Sequence, residues 1–254
     1  MMNGDFLALL PKNPFGQLSG GKAGEELTLH ATTVFAFHCS AGVIMAGDHR
    51  ATAGNTIFSD KTEKILELDA HSMMAIAGSP AVAFEMARTL QTTFEFYRRS
   101  QLQSMSLAAK IRSLSKLLRD NLPATLQGFG AVSPLFAGIE TDDPNARPII
   151  QFYDPLGAQF EAANFASSGS GSPTIRSVLH FLEKWGNPRP QDMSLEQAVV
   201  LANRLLMTAA EFDAATGGVH PDRRLYSTLK LLTRHGIQSL TVDEHERYWQ
   251  RAES

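Results

Sequence analysis

The stretch that decides the fold is ATTVFAFHCSAGVIMAGDHRATAGN, residues 31–55. Within it, TTVFAFHC and GVIMAGD are rich in β-branched and aromatic residues and are separated by the turn formers Ser40, Ala41 and Gly42, so they read as two paired strands. A second pair follows at KILELD and SMMAIAG, joined through the polar AHS, which makes the first third of the domain strand-dominated. Pro80 then opens PAVAFEMARTLQTTFEFYRR. There Val82, Met86, Leu90, Phe94 and Tyr97 recur at helical spacing, and proline suits a first helical turn. A second helix is expected from Ser106, with Leu107, Ile111, Leu114, Leu117 and Leu118 on one stripe and Pro123 ending or kinking it.

Strands return at SPLFAGIE and PIIQFYD, with PLG as the turn into AQFEAA. After SSGSGSP, read as a loop, an amphipathic helix is expected over Thr174 to Trp185. Another follows from Ser194, whose hydroxyl and Gln197 form a capping box, and it is expected to run until Gly217 and Gly218. STLKLLTRHG and IQSLTVD are closing strands, and the tail DEHERYWQRAES is open between a packed helix and a loose end. Sheets alternating with pairs of helices predict an α+β layered sandwich, two sheets inside and helices on both outer faces.

Outside this pattern lie residues 1–31, a small apolar cluster followed by GQLSGGKAGEEL, read as an extension or a removable leader. Asp5 and the short run FLALL do not make an export signal. The composition of the whole 254-residue chain, 43% hydrophobic and 19% charged, suits one globular domain without repeats. A net charge of −3 provides no broad basic field for nucleic acid or an anionic membrane, and no stretch reaches the roughly 18 uncharged apolar residues of a membrane span. A lone cysteine, Cys39, suits a reducing compartment, with the cytoplasm as the expected location, and reads as a small buried hydrophobe. The eight histidines show no HExxH, so no metal site is expected. The chain also has neither a GxSxG elbow nor the GK[ST] of a phosphate loop. No cofactor is expected.

A threonine at a strand start is ordinary by itself. It becomes chemical if it is the first residue of the mature chain, because its own α-amine, with an unperturbed pKa of about 7.7–8.0, then accepts the hydroxyl proton. Upstream residues would in that case mask the catalyst.

Five separated pieces, ATTVFAFHCSAGVIMAGDHRATAGN, KTEKILEL, AIAG, GSGS and FDAATGG, occur in the order and spacing of one family. With them the chain resembles the proteasome β-subunit family from Thr32 to roughly residue 240. The resemblance implies a four-layer αββα sandwich of the N-terminal nucleophile hydrolase type. It also implies a threonine endopeptidase domain at 32–254, released by autocatalytic removal of a propeptide at 1–31 through cleavage between Ala31 and Thr32.

Its register selects Thr32 over Thr33, since Asp48 and Lys64 lie sixteen and thirty-two residues beyond Thr32, as the family's catalytic aspartate and lysine do. Ser170, Asp213 and Thr216 match the supporting network around the amine, Thr216 standing where many relatives have serine. Gly78 matches the backbone oxyanion donor and Thr52 a backbone partner for extended peptide. Ala51, Leu66 and Ile76 match the primary specificity pocket, where uncharged side chains imply an apolar residue before the cut, although all three are equally core candidates.

Two positions depart from the family pattern. Ala31 stands where glycine is usual, which adds a Cβ at the bond to be cleaved. Pro80 removes a backbone N–H offered to bound peptide. Polypeptide substrates, homo-oligomeric stacked rings, and α-type subunits or an ATPase unfoldase as partners follow from the resemblance. The competing reading is a catalytically silent ring-forming subunit that keeps its propeptide.

Overall fold

The computed structural model describes residues 32–53, 56–59, 61–127, 130–162 and 164–253. The leader and Ala31 lie outside them. Thr33–Cys39 (β1) and Gly42–Gly47 (β2) form the expected hairpin, with Phe37 opposite Ile44. A two-stranded ribbon, Ala51–Ala53 (β3) with Thr56–Ser59 (β4), follows. Ile65–Asp69 (β5), Ser72–Ala75 (β6), Leu135–Gly138 (β7), Ile149–Tyr153 (β8) and Gln159–Ala162 (β9) build one antiparallel sheet in sequence order. Phe165–Gly169 (β10), Thr228–Thr233 (β11) and Gly236–Ser239 (β12) complete the other sheet, in the order β10-β1-β2-β11-β12.

The helices are Pro80–Gln101 (α1), Leu107–Asp120 (α2), Leu122–Leu126 (α3), Ser172–Trp185 (α4), Leu195–Phe212 (α5) and Val242–Glu253 (α6). Three apolar layers separate the four structural ones. Along β1 the side chains alternate faces. Phe35, Phe37 and Cys39 pack under α4 and α5 with Ile175, Leu179 and Leu205. Val34 and Ala36 face the second sheet, where Met45, Met73, Leu135 and Ile150 close the middle layer. On the far side Met74 and Phe136 pack against Met86, Leu90, Ile111 and Leu114 of α1 and α2. Because both faces of β1 and β2 are covered, these strands are apolar almost throughout rather than alternating with polar residues. Each fully buried Phe, Leu or Met in these layers contributes about 1.5–3 kcal/mol. The chain is therefore an αββα sandwich.

Most expected elements are present, and the capping box of Ser194 and Gln197 is complete. Pro123 does end α2, and it lies in the first turn of the separate short helix α3. Two boundaries differ from the sequence reading. SSGSGSP is half strand, since Ser167, Ser168 and Gly169 belong to β10 and pair with β1 in the register Thr33 to Gly169. α5 stops at Phe212 rather than at the glycines, with Asp213 as its C-cap. The tail, left open by sequence, is helix α6 packed on α5 through Trp249.

α6 is also held by a buried polar chain. Asn203 Oδ1 accepts from the Ser227 N–H (3.2 Å) and hydroxyl (2.9 Å), so its Nδ2 is the donor that meets Val199 O at 3.2 Å and His245 Nδ1 at 3.0 Å. That makes Nδ1 of His245 an acceptor and places its proton on Nε2. The ring is 1% exposed and stacked on Tyr226. Burial pushes its pKa down to about 4, the nearby His49 adding to the effect and Glu244 opposing it. Between the ordinary histidine value and about 4, the unfolded chain takes up a proton that the folded one refuses, so this contribution to stability is lost as pH falls through that window. Urea unfolding at about pH 7.5 and about pH 5 is expected to show wild type losing about 2 kcal/mol more than His245→Gln over the same change.

Candidate active site

Four chain segments meet at the start of β1. The first is the end of β2, which delivers Asp48. Its carboxylate is saturated by four donors: Oδ1 accepts from the Thr33 N–H at 3.0 Å and from Lys64 Nζ at 2.6 Å, and Oδ2 from the Arg50 N–H at 3.0 Å and the Gly217 N–H at 2.8 Å. The Asp48 N–H in turn donates to the Thr33 carbonyl at 3.2 Å, so residues 33 and 48 are held by two reciprocal bonds.

Lys64, just before β5, is 1% exposed. Its ammonium has three donors. One goes to Asp48 Oδ1, a second goes to the Arg50 carbonyl, and the third has no acceptor among the described residues. Burial lowers the Lys64 pKa from its ordinary value; Asp48 opposes the shift and the Arg50 charge adds to it. A buried ammonium next to one carboxylate is thus a pair that cannot be broken without cost.

The third and fourth segments are the turn after β10 and the turn after α5. The Ser170 N–H donates to the Thr32 carbonyl at 3.1 Å, and the Gly171 N–H donates to Thr33 Oγ1 at 3.0 Å. Asp213 Oδ2 receives the Ser170 hydroxyl at 2.6 Å and the Thr216 hydroxyl at 2.5 Å, while Oδ1 takes the Ala215 N–H at 3.1 Å. Burial alone would raise the Asp213 pKa. Those three hydrogen bonds and the positive charge of Lys64 outweigh it and hold the carboxyl below its usual value. The Arg50 guanidinium links this turn to Asp48 by donating to the carbonyls of Ala214 (3.3 Å) and Thr216 (3.4 Å).

The expected set Thr32, Asp48, Lys64, Ser170, Asp213 and Thr216 is therefore gathered in one place, with Thr32 itself 5% exposed immediately before β1. Gly78 stands at φ +105°, and a Cβ there would lie 2.2 Å from the Ala131 carbonyl oxygen, so only glycine fits. It bridges Val132, but the bonds on either side run Ser79 N–H to Ala131 O and Ser133 N–H to Ala77 O. In that non-hydrogen-bonded arrangement the Gly78 N–H points away from its partner strand, and among the described residues it has no acceptor.

Pro80 is the first residue of α1. Ala51 and Thr52 lie on β3, Ala51 half-buried. Leu66 is half-buried and Ile76 fully so, both packed in the layer beneath α1. Ala31 lies outside the described residues. Sequence reasoning missed Thr33, Arg50, Gly171 and Gly217. Of these, only the doubled threonine and the residue between DH and AT offered a signal, and both read as ordinary strand and turn chemistry.

A family model described as "Proteasome subunit" matches residues 28–220. The chain belongs to the proteasome subunit family. "Proteasome subunit beta" of Acidothermus cellulolyticus is 38% identical over 243 residues, covering 94% of this chain and 81% of that protein. The Streptomyces griseus protein of the same name is 36% identical over 215 residues, covering 85% of this chain and 73% of the relative. "Proteasome subunit beta 2" of Thermomonospora curvata is 39% identical over 215 residues, covering 85% and 74%. The αββα sandwich is accordingly the N-terminal nucleophile hydrolase fold of this family. No helix among the described residues is long and apolar enough to cross a membrane.

Replacing Asp48 by Asn removes the charge that Lys64 needs and leaves one side-chain oxygen for four donors. Urea denaturation is expected to show a loss of about 3–5 kcal/mol for Asp48→Asn, and most of it is recovered when Lys64→Met is added.

Proposed function

We propose that this chain is a threonine-type endopeptidase subunit, made as a precursor whose residues 1–31 are removed by self-cleavage between Ala31 and Thr32, leaving 32–254 as the catalytic domain. The observation that carries this reading is the single oxygen, Asp48 Oδ1, on which the Lys64 ammonium and the Thr33 N–H converge. It puts a desolvated cation with an uncommitted N–H beside the residue that follows Thr32.

Thr32 Oγ attacks a peptide carbonyl carbon while its proton passes to the Thr32 α-amine, freed when the leader departs. The uncommitted Lys64 N–H favours the developing alkoxide. Ser170, Asp213 and Thr216 orient the amine. The outward Gly78 N–H receives the negative charge that develops on the carbonyl oxygen. The protonated amine then gives its proton to the departing nitrogen, and a water activated by the same amine cleaves the acyl ester. Substrate lies as an added strand along β3, with Thr52 as a backbone partner. Ala51 and Leu66, with Ile76 behind them, favour an apolar side chain before the cut.

The relatives' printed name, proteasome subunit beta, supports a subunit of a larger assembly. Beyond that name, we propose homo-oligomeric stacked rings that degrade unfolded polypeptides in the cytoplasm, with α-type subunits or an ATPase unfoldase as partners. The convergence of Asp48, Lys64, Ser170, Asp213 and Thr216 around Thr32 and Thr33 favours this reading over a silent ring-forming subunit that retains its propeptide.

Intact mass of purified protein is expected to show the loss of residues 1–31, and Thr32→Ala to abolish both that loss and labelling by a threonine-directed epoxyketone. A full-length wild-type product without activity on unstructured protein would establish the silent subunit instead. Pro80 begins α1 and offers no N–H to a bound peptide. Pro80→Ala is expected to lower KM on peptide substrates by about fivefold, the effect of one regained hydrogen bond, with kcat unchanged.

A further inference from the structure

We infer that the Thr33 hydroxyl is a positioning group of the reaction, the link through which Asp213 holds the start of the chain in register; this rests on the proposed threonine-peptidase chemistry. Thr33 is fully buried, and a valine of the same shape would fill its volume, so packing alone does not require the oxygen.

The hydroxyl's bonds have one consistent direction. Thr216 donates its proton to Asp213 Oδ2 at 2.5 Å, because a carboxylate only accepts. Thr216 Oγ1 is therefore the acceptor in its 2.6 Å contact with Thr33 Oγ1, and Thr33 supplies that proton. The lone pair left on Thr33 Oγ1 accepts from the Gly171 N–H at 3.0 Å. The result is a directed chain: Gly171 N–H to Thr33 hydroxyl to Thr216 hydroxyl to Asp213, joined there by the Ser170 hydroxyl at 2.6 Å. Chains of this kind polarise each member, and their loss is felt along the whole line.

The same residue is fixed from the other side by Asp48, whose Oδ1 takes its N–H and whose own N–H reaches its carbonyl. Thr33 thus belongs to the Asp48–Lys64 pair through its backbone and to the Ser170–Asp213–Thr216 cluster through its side chain. It is bonded to Thr32 covalently and meets the turn that binds the Thr32 carbonyl. The packing at this point is close, since a Cβ on Gly171 would lie 2.7 Å from Thr33 Oγ1 and 2.6 Å from Thr216 Oγ1. Without the hydroxyl, the buried Gly171 N–H has no acceptor and the Thr216 oxygen loses its donor. The turn at Ser170 and Gly171 is then held to Thr32 by the Ser170 N–H and the β1–β10 ladder alone.

The test compares full-length wild type with Thr33→Val, Thr33→Ser, Thr216→Val and the double variant Thr33→Val/Thr216→Val. It measures leader release, kcat, KM and the pH profile of kcat/KM on a peptide substrate, with epoxyketone labelling of wild type as the control. For Thr33→Val we expect leader release and kcat to fall about tenfold or more, KM to stay within about twofold, and the acidic limb of the profile to move. Thr33→Ser is expected to remain within about threefold of wild type. The double variant should be no worse than the poorer single variant, because the hydroxyls act as one chain.

A labelled wild type beside a Thr33→Val variant with unchanged kcat and profile overturns the inference. So does a Thr33→Ser loss equal to that of valine, or additive losses in the double variant. An unlabelled wild type whose leader has been removed overturns the peptidase reading itself. If Thr33→Val does not fold, the serine variant and the Thr216→Val profile decide by the same criteria.

Discussion

A carboxylate can be kept ionised inside a protein only if donors replace the water it has lost, and Asp48 has four of them. They come from β1, from the segment after β2, from the approach to β5 and from the turn after α5. One buried charge therefore defines where four distant parts of the sequence must stand. Lys64 makes the demand mutual: an ammonium in the same interior needs this carboxylate as much as the carboxylate needs it. Burial gives the requirement its strength, since Asp48 and Lys64 are each only 1% exposed.

The layered fold was legible because the apolar periodicities are strong. The double burial of β1 and β2 is written in TTVFAFHC and GVIMAGD, and the outer helices in their stripes. β10 was not fully legible. FASSG has weak strand propensity, and it becomes a strand because β1 offers it a ladder from Phe37 to Thr33. The end of α5 was hidden for a different reason. Ala214 and Ala215 are good helix formers, but the Asp213 carboxylate bonds the Ala215 N–H and the hydroxyls of Ser170 and Thr216, and so turns the chain before them.

In the site, the side chains gathered around Thr32 were those the family spacing marked. The resemblance had no means of exposing bonds made by backbone groups or by residues with an ordinary structural reading. Arg50 acts through its amide and carbonyl as much as through its guanidinium. Gly217 acts through an amide next to Asp48, whereas its sequence reads as a helix stop. Thr33 is a good β-former whatever its hydroxyl does. Such roles are decided by where a donor points, and composition carries no direction. Ile76 and Leu66 illustrate the reverse case: positions marked for substrate contact also help to anchor α1 to its sheet, so a change there alters packing as well as any pocket.

The placement of Asp213 also has a bearing on how far this molecule can be made more robust. A carboxylate at the carboxy end of α5 stands where the helix already presents its partial negative charge, an arrangement that costs about 0.3–1 kcal/mol relative to a cation or a neutral cap. The hydroxyls of Ser170 and Thr216, the Ala215 N–H and the Lys64 charge more than offset that cost, so replacing the carboxylate would exchange a small dipole gain for three lost hydrogen bonds. One helix cap is thus already committed to a hydrogen-bond cluster, and efforts to harden the scaffold belong elsewhere, on the outer faces of α1, α4 and α6.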